Sequence, residues 1–331
     1  MAMTLAEMKV GMSDKVAQQI VDTFIRESEI LEMMQFDDAV SPTGGSTLTY
    51  GYVQKKLPSQ ASFRALNSEY TANQATVEKK TVDLKIFGGS YEIDRVLKEA
   101  EGMYNNMQYQ IEEKVSAAVG TFHDAMVNGD NASDANSFDG LDKFLVGTTN
   151  EMGTGEYIDL STMEKLKQNA DVFYEALLKL INRTGASALM VNEGMKTKIQ
   201  TVARILGYKT ESEEAFGRTI TSIGEGKVRL VDLGNKYSVS GDAPTETPII
   251  NVKTRTINSA EVTGVTDIFA VRFNVNDGFC GVTLTGDNAI RQYLPDFNAP
   301  GAVKTGEVEM VAAVALKNTR AAGVLRNVKI Q

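Results

Sequence analysis

A strand whose apolar face changes midway organises this chain. In KKTVDLKIFGGSYEIDR (79–95), Val82, Leu84 and Ile86 fall on even positions, while Tyr91 and Ile93 fall on odd ones. Side chains alternate faces along a strand, so a change of parity moves the apolar set to the opposite face. The swap falls at Phe87-Gly88-Gly89. Glycine tolerates the backbone angles of a bulge or bend, which makes Gly88 and Gly89 the expected hinge between two halves with different partners. TLTYGYV (47–53) predicts a second strand, and the polar, Pro58-containing stretch between the two predicts an extended hairpin with a long tip. Extended chain over 79–95 would span roughly 55 Å, about the width of a compact chain of this length. The hairpin is therefore expected to leave the body as an arm.

Helical periodicity appears on both sides of it. Val16, Ile20, Phe24, Leu31 and Met34 predict a helix over 13–36 with Ser13 as cap, followed by a SPTGGS loop at 41–46. The strongest stripe is Leu97, Ala100, Tyr104, Met107, Ile111, Val115, Ala118, Phe122 and Met126, which predicts a helix over 95–128 opened by Asp94 and stopped at Gly129. Ser161 and Glu164 read as a capping box for a helix over 162–183, ALMV (188–191) as a buried strand, and Asn192 as the cap of a helix ending near Gly207. Strands are expected at 228–233, 247–252, 266–275, 281–284 and 306–318. Interleaved helices and strands make the class α+β, with an α/β subdomain at about 155–285.

Composition narrows the function by exclusion. The chain has 331 residues and a net charge of −9, which lacks the basic footprint of a nucleic-acid binder. Cys280 is the single cysteine, so no internal disulfide forms. No apolar run reaches about 18 residues, so no membrane span is expected. The first residues lack a basic region followed by an apolar core, so no signal peptide is expected.

A Ser-His-Asp or Cys-His site needs a histidine near the nucleophile, and His123 is the only one; its place beside the stripe of the long helix predicts a packing or surface role. Cys280 reads as a small buried residue. GEGK (224–227) lacks both the leading glycine and the closing Ser/Thr of a phosphate loop and reads as a turn. Asp130, Asp134 and Asp139 have the composition of a calcium loop without its spacing. ESEEAF (211–216) reads as a solvated loop. No catalytic, cofactor or metal site is predicted. The expected contact residues between subunits are instead on the arm: Lys55, Lys56, Arg64, Lys79 and Lys80, with Val82, Leu84 and Ile86 turned to a neighbour or to strand 47–53. Lysines there also discourage unwanted pairing of an exposed edge.

The order of the parts, with ILEMMQF (30–36), NSFDGL (136–141) and VAAVALKNTRAAGVLRN (311–327), resembles the major capsid protein of tailed bacteriophages, a fold shared with encapsulins and the herpesvirus capsid floor. The resemblance implies an N-terminal arm (1–40), an extended loop lying across the neighbouring subunit (41–90), a peripheral domain (91–155 and 286–331) with a spine helix (95–128), and an axial domain (156–285). It implies a structural protein, not an enzyme, whose hexamers and pentamers form an icosahedral shell around double-stranded DNA held without sequence-specific contacts. It further implies a separate scaffolding protein, a portal, room for a decoration protein, no membrane, assembly in the bacterial host cytoplasm and a final place in the virion. An encapsulin-like nanocompartment and a soluble enzyme are the alternatives.

Overall fold

The computed structural model describes residues 3–4, 28–38, 48–57, 59–96, 106–208, 211–215, 218–223, 228–240, 243–284 and 290–331. Outside them lie residues 13–27 of the helix expected over 13–36, the SPTGGS loop, the Leu97, Ala100 and Tyr104 part of the stripe, and GEGK. Five helices are labelled here: α1 (Glu29–Met33), α2 (Asn106–Asn128), α3 (Leu141–Leu145), α4 (Met163–Thr184) and α5 (Glu193–Ile205). The strands are β1 (Met3–Thr4), β2 (Gln35–Asp38), β3 (Thr49–Leu57), β4 (Thr76–Asp83), β5 (Lys85–Asp94), β6 (Glu151–Met152), β7 (Ile158–Asp159), β8 (Ala188–Val191), β9 (Glu211–Ala215) and β10 (Arg218–Ile223). They continue as β11 (Val228–Asp232), β12 (Asn235–Ser240), β13 (Ala243–Pro248), β14 (Lys253–Ile257), β15 (Ala260–Val271), β16 (Phe279–Thr283), β17 (Ile290–Tyr293), β18 (Val303–Leu316) and β19 (Ala322–Lys329).

Strand β8 shows how the two halves share a core. Its four residues are all buried, and the pleat sends Ala188 and Met190 to one side, Leu189 and Val191 to the other. Leu189 and Val191 pack under α4 and α5 with Phe173, Leu177, Met195 and Ile199. Ala188 and Met190 join the core that includes Phe122 and Met126 of α2 and the inward side of β18. The sheet around β8 has nine strands, in the order β6-β19-β15-β8-β11-β10-β9, with β14 on β15 and β7 on β19. A six-stranded sheet runs β1-β2-β16-β18-β17, with β5 on β18.

This pairing moves the expected boundaries. β19 lies in the stretch assigned to the peripheral domain, yet it pairs with β15 in the nine-stranded sheet. β16 lies in the stretch assigned to the axial domain, yet it pairs with β18 and β2. Both are short and buried, and alternation within a strand does not say which sheet it joins, so local pattern cannot choose between them.

Local chemistry explains most helix ends. Asn192 Oδ1 accepts from the Met195 N–H at 2.8 Å, and α4 stops at Gly185, whose φ of 61° is the left-handed cap glycine favours. Asp94 accepts from the Val96 N–H, as a cap should. The cap of α4 is Thr162 rather than Ser161, because Ser161 is held by Asp159. At its described end the helix expected over 13–36 stops early: α1 ends at Met33 and the chain turns into β2, where Phe36 pairs alongside Gly281. ESEEA is a strand, not a loop, because β10 pairs along its whole length. The strand expected at 247–252 ends at Pro248, and Ile249 and Ile250 are buried without ladder pairing.

Phe36 sits so close that a Cβ on Gly281 would lie 2.4 Å from its ring. Gly281→Ala is therefore expected to cost about 1–3 kcal/mol by overpacking, measured by denaturant unfolding, with part of the loss recovered when Phe36→Leu is added.

The face change of the long strand occurs at Leu84-Lys85, not at Gly88-Gly89. β4 pairs with β3, Leu84 stands between strands with its N–H on the Leu48 carbonyl, and β5 pairs with β18 without interruption from Lys85↔Ala312 to Asp94↔Val303. The chain changes sheets at that point. Gly88 sits inside the ladder, where a Cβ would come within 2.0 Å of the Val308 carbonyl oxygen. It serves close approach of two strands, and neither it nor Gly89 forms a bulge.

A buried ionic cluster ties the nine-stranded sheet to α3. Asp267 on β15 takes two 2.6 Å hydrogen bonds from Arg255 and one at 3.1 Å from Arg326, while the Asn327 N–H donates to it as well. Arg326 also pairs with Glu151 and Asp142. Burial works against ionisation of Asp267, but the two arginines hold its pKa below the usual carboxylate value.

Candidate assembly surface

The hairpin formed by β3 and β4 is paired only with itself along its length. Its root belongs to the body: Tyr52, Val82 and Leu84 are buried in the core that contains Phe122. Three chain segments meet there. The Tyr50 hydroxyl donates to Asp37 Oδ2 at 2.5 Å, Lys317 Nζ donates to the same oxygen at 2.8 Å, and the Lys317 ammonium lies 5.2 Å from the Tyr50 ring centre. Gln54 reaches the Leu316 carbonyl at 3.0 Å. Burial, and then the bond to Asp37, push the Tyr50 hydroxyl up to about 12, so it stays a donor. At Asp37, burial is outweighed by Lys317 and Tyr50, and the carboxyl stays below its usual value.

Beyond Gln54 the ribbon loses the body. The register sets Val53 across from Lys79 and Lys55 across from Val77, and Val53, Val77 and Lys79 are exposed. The tip is nonetheless built. Gln60 and Asn73 exchange two hydrogen bonds, Arg64 donates to the Ala65 and Ser68 carbonyls and lies over the Tyr70 ring, and Asn67 takes a left-handed φ of 64°. This closed loop presents Phe63, Leu66 and Tyr70 outward, with Leu66 90% exposed. Among the described residues, nothing in the chain's own core covers them.

The expected contact residues divide accordingly. Arg64 and Lys79 are on the exposed arm, and Lys80 is half-exposed beside Glu78 at 3.1 Å. Lys55 and Lys56 are on β3, with side chains outside the described residues. Of the two expected partners, a neighbour or strand 47–53, Val82 and Leu84 are buried in the subunit's own core together with Tyr52 of β3. Ile86 is 59% exposed, on the opposite face from Leu84, because the sheet change precedes it. Periodicity missed Phe63, Leu66 and Tyr70, which stand singly in a polar stretch, and the Asp37–Tyr50–Lys317 junction, whose members lie far apart in sequence.

A second open surface is the outer side of the six-stranded sheet. Ile86, Ser90 and Glu92 of β5 and Val303, Thr305 and Glu307 of β18 are exposed there, with Glu309 beside them on the same face. With Asp94, which lies on the same face across from Val303, four carboxylates stand here against one cation among the described residues, Arg291 of β17.

The remaining chemistry is spent internally. Lys143 sits between Asp130 and Asp139, and Asp134 caps its own turn through the Asn136 N–H. Among the described residues no three His, Cys, Asp or Glu side chains gather as metal ligands. Cys280 is buried, and burial pushes its thiol up to about 12.

No family model matches the chain, and no curated protein does. Solved structures do. The holo-SrpI encapsulin complex from Synechococcus elongatus PCC 7942 is similar at a TM-score of 0.56 and 10% identity, over 91% of this chain and 87% of that one. A structure of Mycobacterium phage Bobi is similar at 0.54 and 10% identity, over 91% and 90%. The capsid of a native GTA particle is similar at 0.51 and 10% identity, over 86% of each. At this identity the likeness is one of fold, and the chain has the α+β capsid fold that tailed-phage head proteins share with encapsulins.

Proposed function

We propose that the chain is the major capsid subunit of a tailed bacteriophage, a structural protein that assembles with itself into hexamers and pentamers and closes an icosahedral shell around double-stranded DNA. The observation that carries this is the arm, a self-paired ribbon clamped at its root whose tip displays Phe63, Leu66 and Tyr70 exposed, with none of the described residues burying them. Solvent-facing apolar groups gathered on a preordered loop mark a contact site. The arm from 48 to 83 carries five cations and three anions on a chain whose net charge is −9. The acidic outer face of the six-stranded sheet on the next copy is its charge complement. Repetition around a closed shell lets modest individual contacts suffice.

The same reading assigns a separate scaffolding protein, a portal and room for a decoration protein as partners, with assembly in the host cytoplasm and a final place in the virion. An acidic subunit encloses DNA without clamping onto it. Electron microscopy and sedimentation of purified chain with its scaffolding protein test this. Capsomers and closed shells are expected. Shells filled with a protein cargo would assign the chain to the encapsulins, and a monomer at every concentration would overturn the reading.

A further inference from the structure

The only histidine is at a junction. His123 of α2 is 5% exposed, with Nε2 2.6 Å from Ser28 Oγ and Nδ1 3.4 Å from the Leu233 carbonyl oxygen. Ser28 Oγ also accepts the Leu31 N–H at 3.1 Å, which caps α1. This pattern is satisfied by a neutral ring: Nδ1–H donates to Leu233, and Nε2 accepts the Ser28 hydroxyl proton. A second ring proton would strand that hydroxyl proton and bury a cation. The ring borders a cavity of about 610 Å³ that is also lined by Glu29 of α1, Glu113 of α2, Asp232 of β11, Lys196 of α5 and Lys236 of β12.

What Ser28 starts is a strap. Residues 28–38 bury Ile30, Leu31, Met34 and Phe36, pair Glu32 with Arg229, lay Phe36 on Gly281, and end at Asp37, the acceptor that holds Tyr50 and Lys317 at the arm root. We propose that His123 is an acid-sensitive latch: its protonation releases the strap 28–38 from α2, and with the strap goes the Asp37 clamp that fixes the root of the arm. The sign follows from linkage. Burial lowers the His123 pKa from 6.5 to about 4, so the closed strap excludes a proton that the released strap binds. The latch is fully engaged above about pH 6.5 and is lost as the pH falls toward 4. This inference stands whether or not the chain forms shells.

Cys280 reports on the strap. It is the single thiol, wholly buried on β16 beside the strap strand β2, and close enough to Asp37 and Lys317 to feel their charges. The test is the rate of its reaction with 4,4′-dithiodipyridine in the full chain, normalised at each pH to a peptide with an exposed cysteine. The native chain is expected to react about 20-fold faster at pH 5 than at pH 7. His123→Gln is expected to be nearly flat, and Ser28→Ala faster at both pH values with the acid dependence kept. Hydrogen exchange of the native chain, corrected for intrinsic rates, gives a second reading: acid should loosen 28–38 and leave α4 protected. A flat native profile, the same dependence in His123→Gln, or acid loss of protection throughout the molecule would overturn the latch.

Discussion

Asp267→Ala is expected to lower the unfolding free energy by about 3–5 kcal/mol, the usual cost of removing one partner from a buried ion pair. The carboxylate answers both Arg255 and Arg326 and also the Asn327 N–H, so its loss leaves two guanidinium groups and a backbone donor facing a void. Arg326 retains Glu151 and Asp142, and Arg255 retains Asn327 at 3.0 Å, which keeps the loss inside that range. Asp267→Asn preserves the shape and part of the bonding and should lose less. Because the folded pKa lies below the ordinary carboxylate value, this stabilisation is present above that value and disappears as the pH falls below it. Urea unfolding at pH 7 and pH 3 checks both points: the gap between native and Asp267→Asn should narrow in acid. Equal midpoints at pH 7 would show that the cluster contributes nothing net.

The triple exchange Phe63→Ser, Leu66→Ser, Tyr70→Ser is expected to leave the monomer's stability within about 0.5 kcal/mol, since exposed side chains away from the core carry little of it. Assembly should be abolished. Aromatic anchors that act as interface hot spots are worth about 2 kcal/mol or more each, and every copy in a shell would lose two such rings and a leucine. Removing residues 55–78 should act in the same way, because the parts of the hairpin that belong to the core, Tyr52, Val82 and Leu84, remain. Thermal unfolding and sedimentation together decide it. Shells of normal yield from the triple variant would show that the tip is not the contact, and an unfolded deletion variant would show that the arm is part of its own subunit.

These predictions draw on features that differ in how far sequence reveals them. The hairpin was legible because alternation and polarity are local: strands at 47–53 and 79–95 with a polar excursion between them are close to β3, β4 and β5. The parity swap is legible too, although alternation alone places it a few residues late. Ile86 continues the even-numbered run, yet the chain has already changed sheets at Leu84, so Phe87, which packs on Phe122 at 5.7 Å, takes the inward position. Alternation shows that a face changes; which neighbour each half has decides where. The glycines drew attention for their flexibility, whereas Gly88 is needed because the Val308 carbonyl occupies the space of a side chain.

The sequence alone determined the elements whose causes are short-range: α4 with its glycine stop, Asn192 capping α5, the doubly buried ALMV strand, and the stripe of α2 from Met107 to Met126. Only the tertiary structure decided which sheet takes β16 and β19, that residues 28–38 are a strap, and that Asp37, Tyr50 and Lys317 meet, as do Ser28 and His123. The physical reason is separation. Capping and periodicity act within a few residues, while these junctions join groups from 13 to 280 positions apart, whose pairing is chosen by the packing of the whole core.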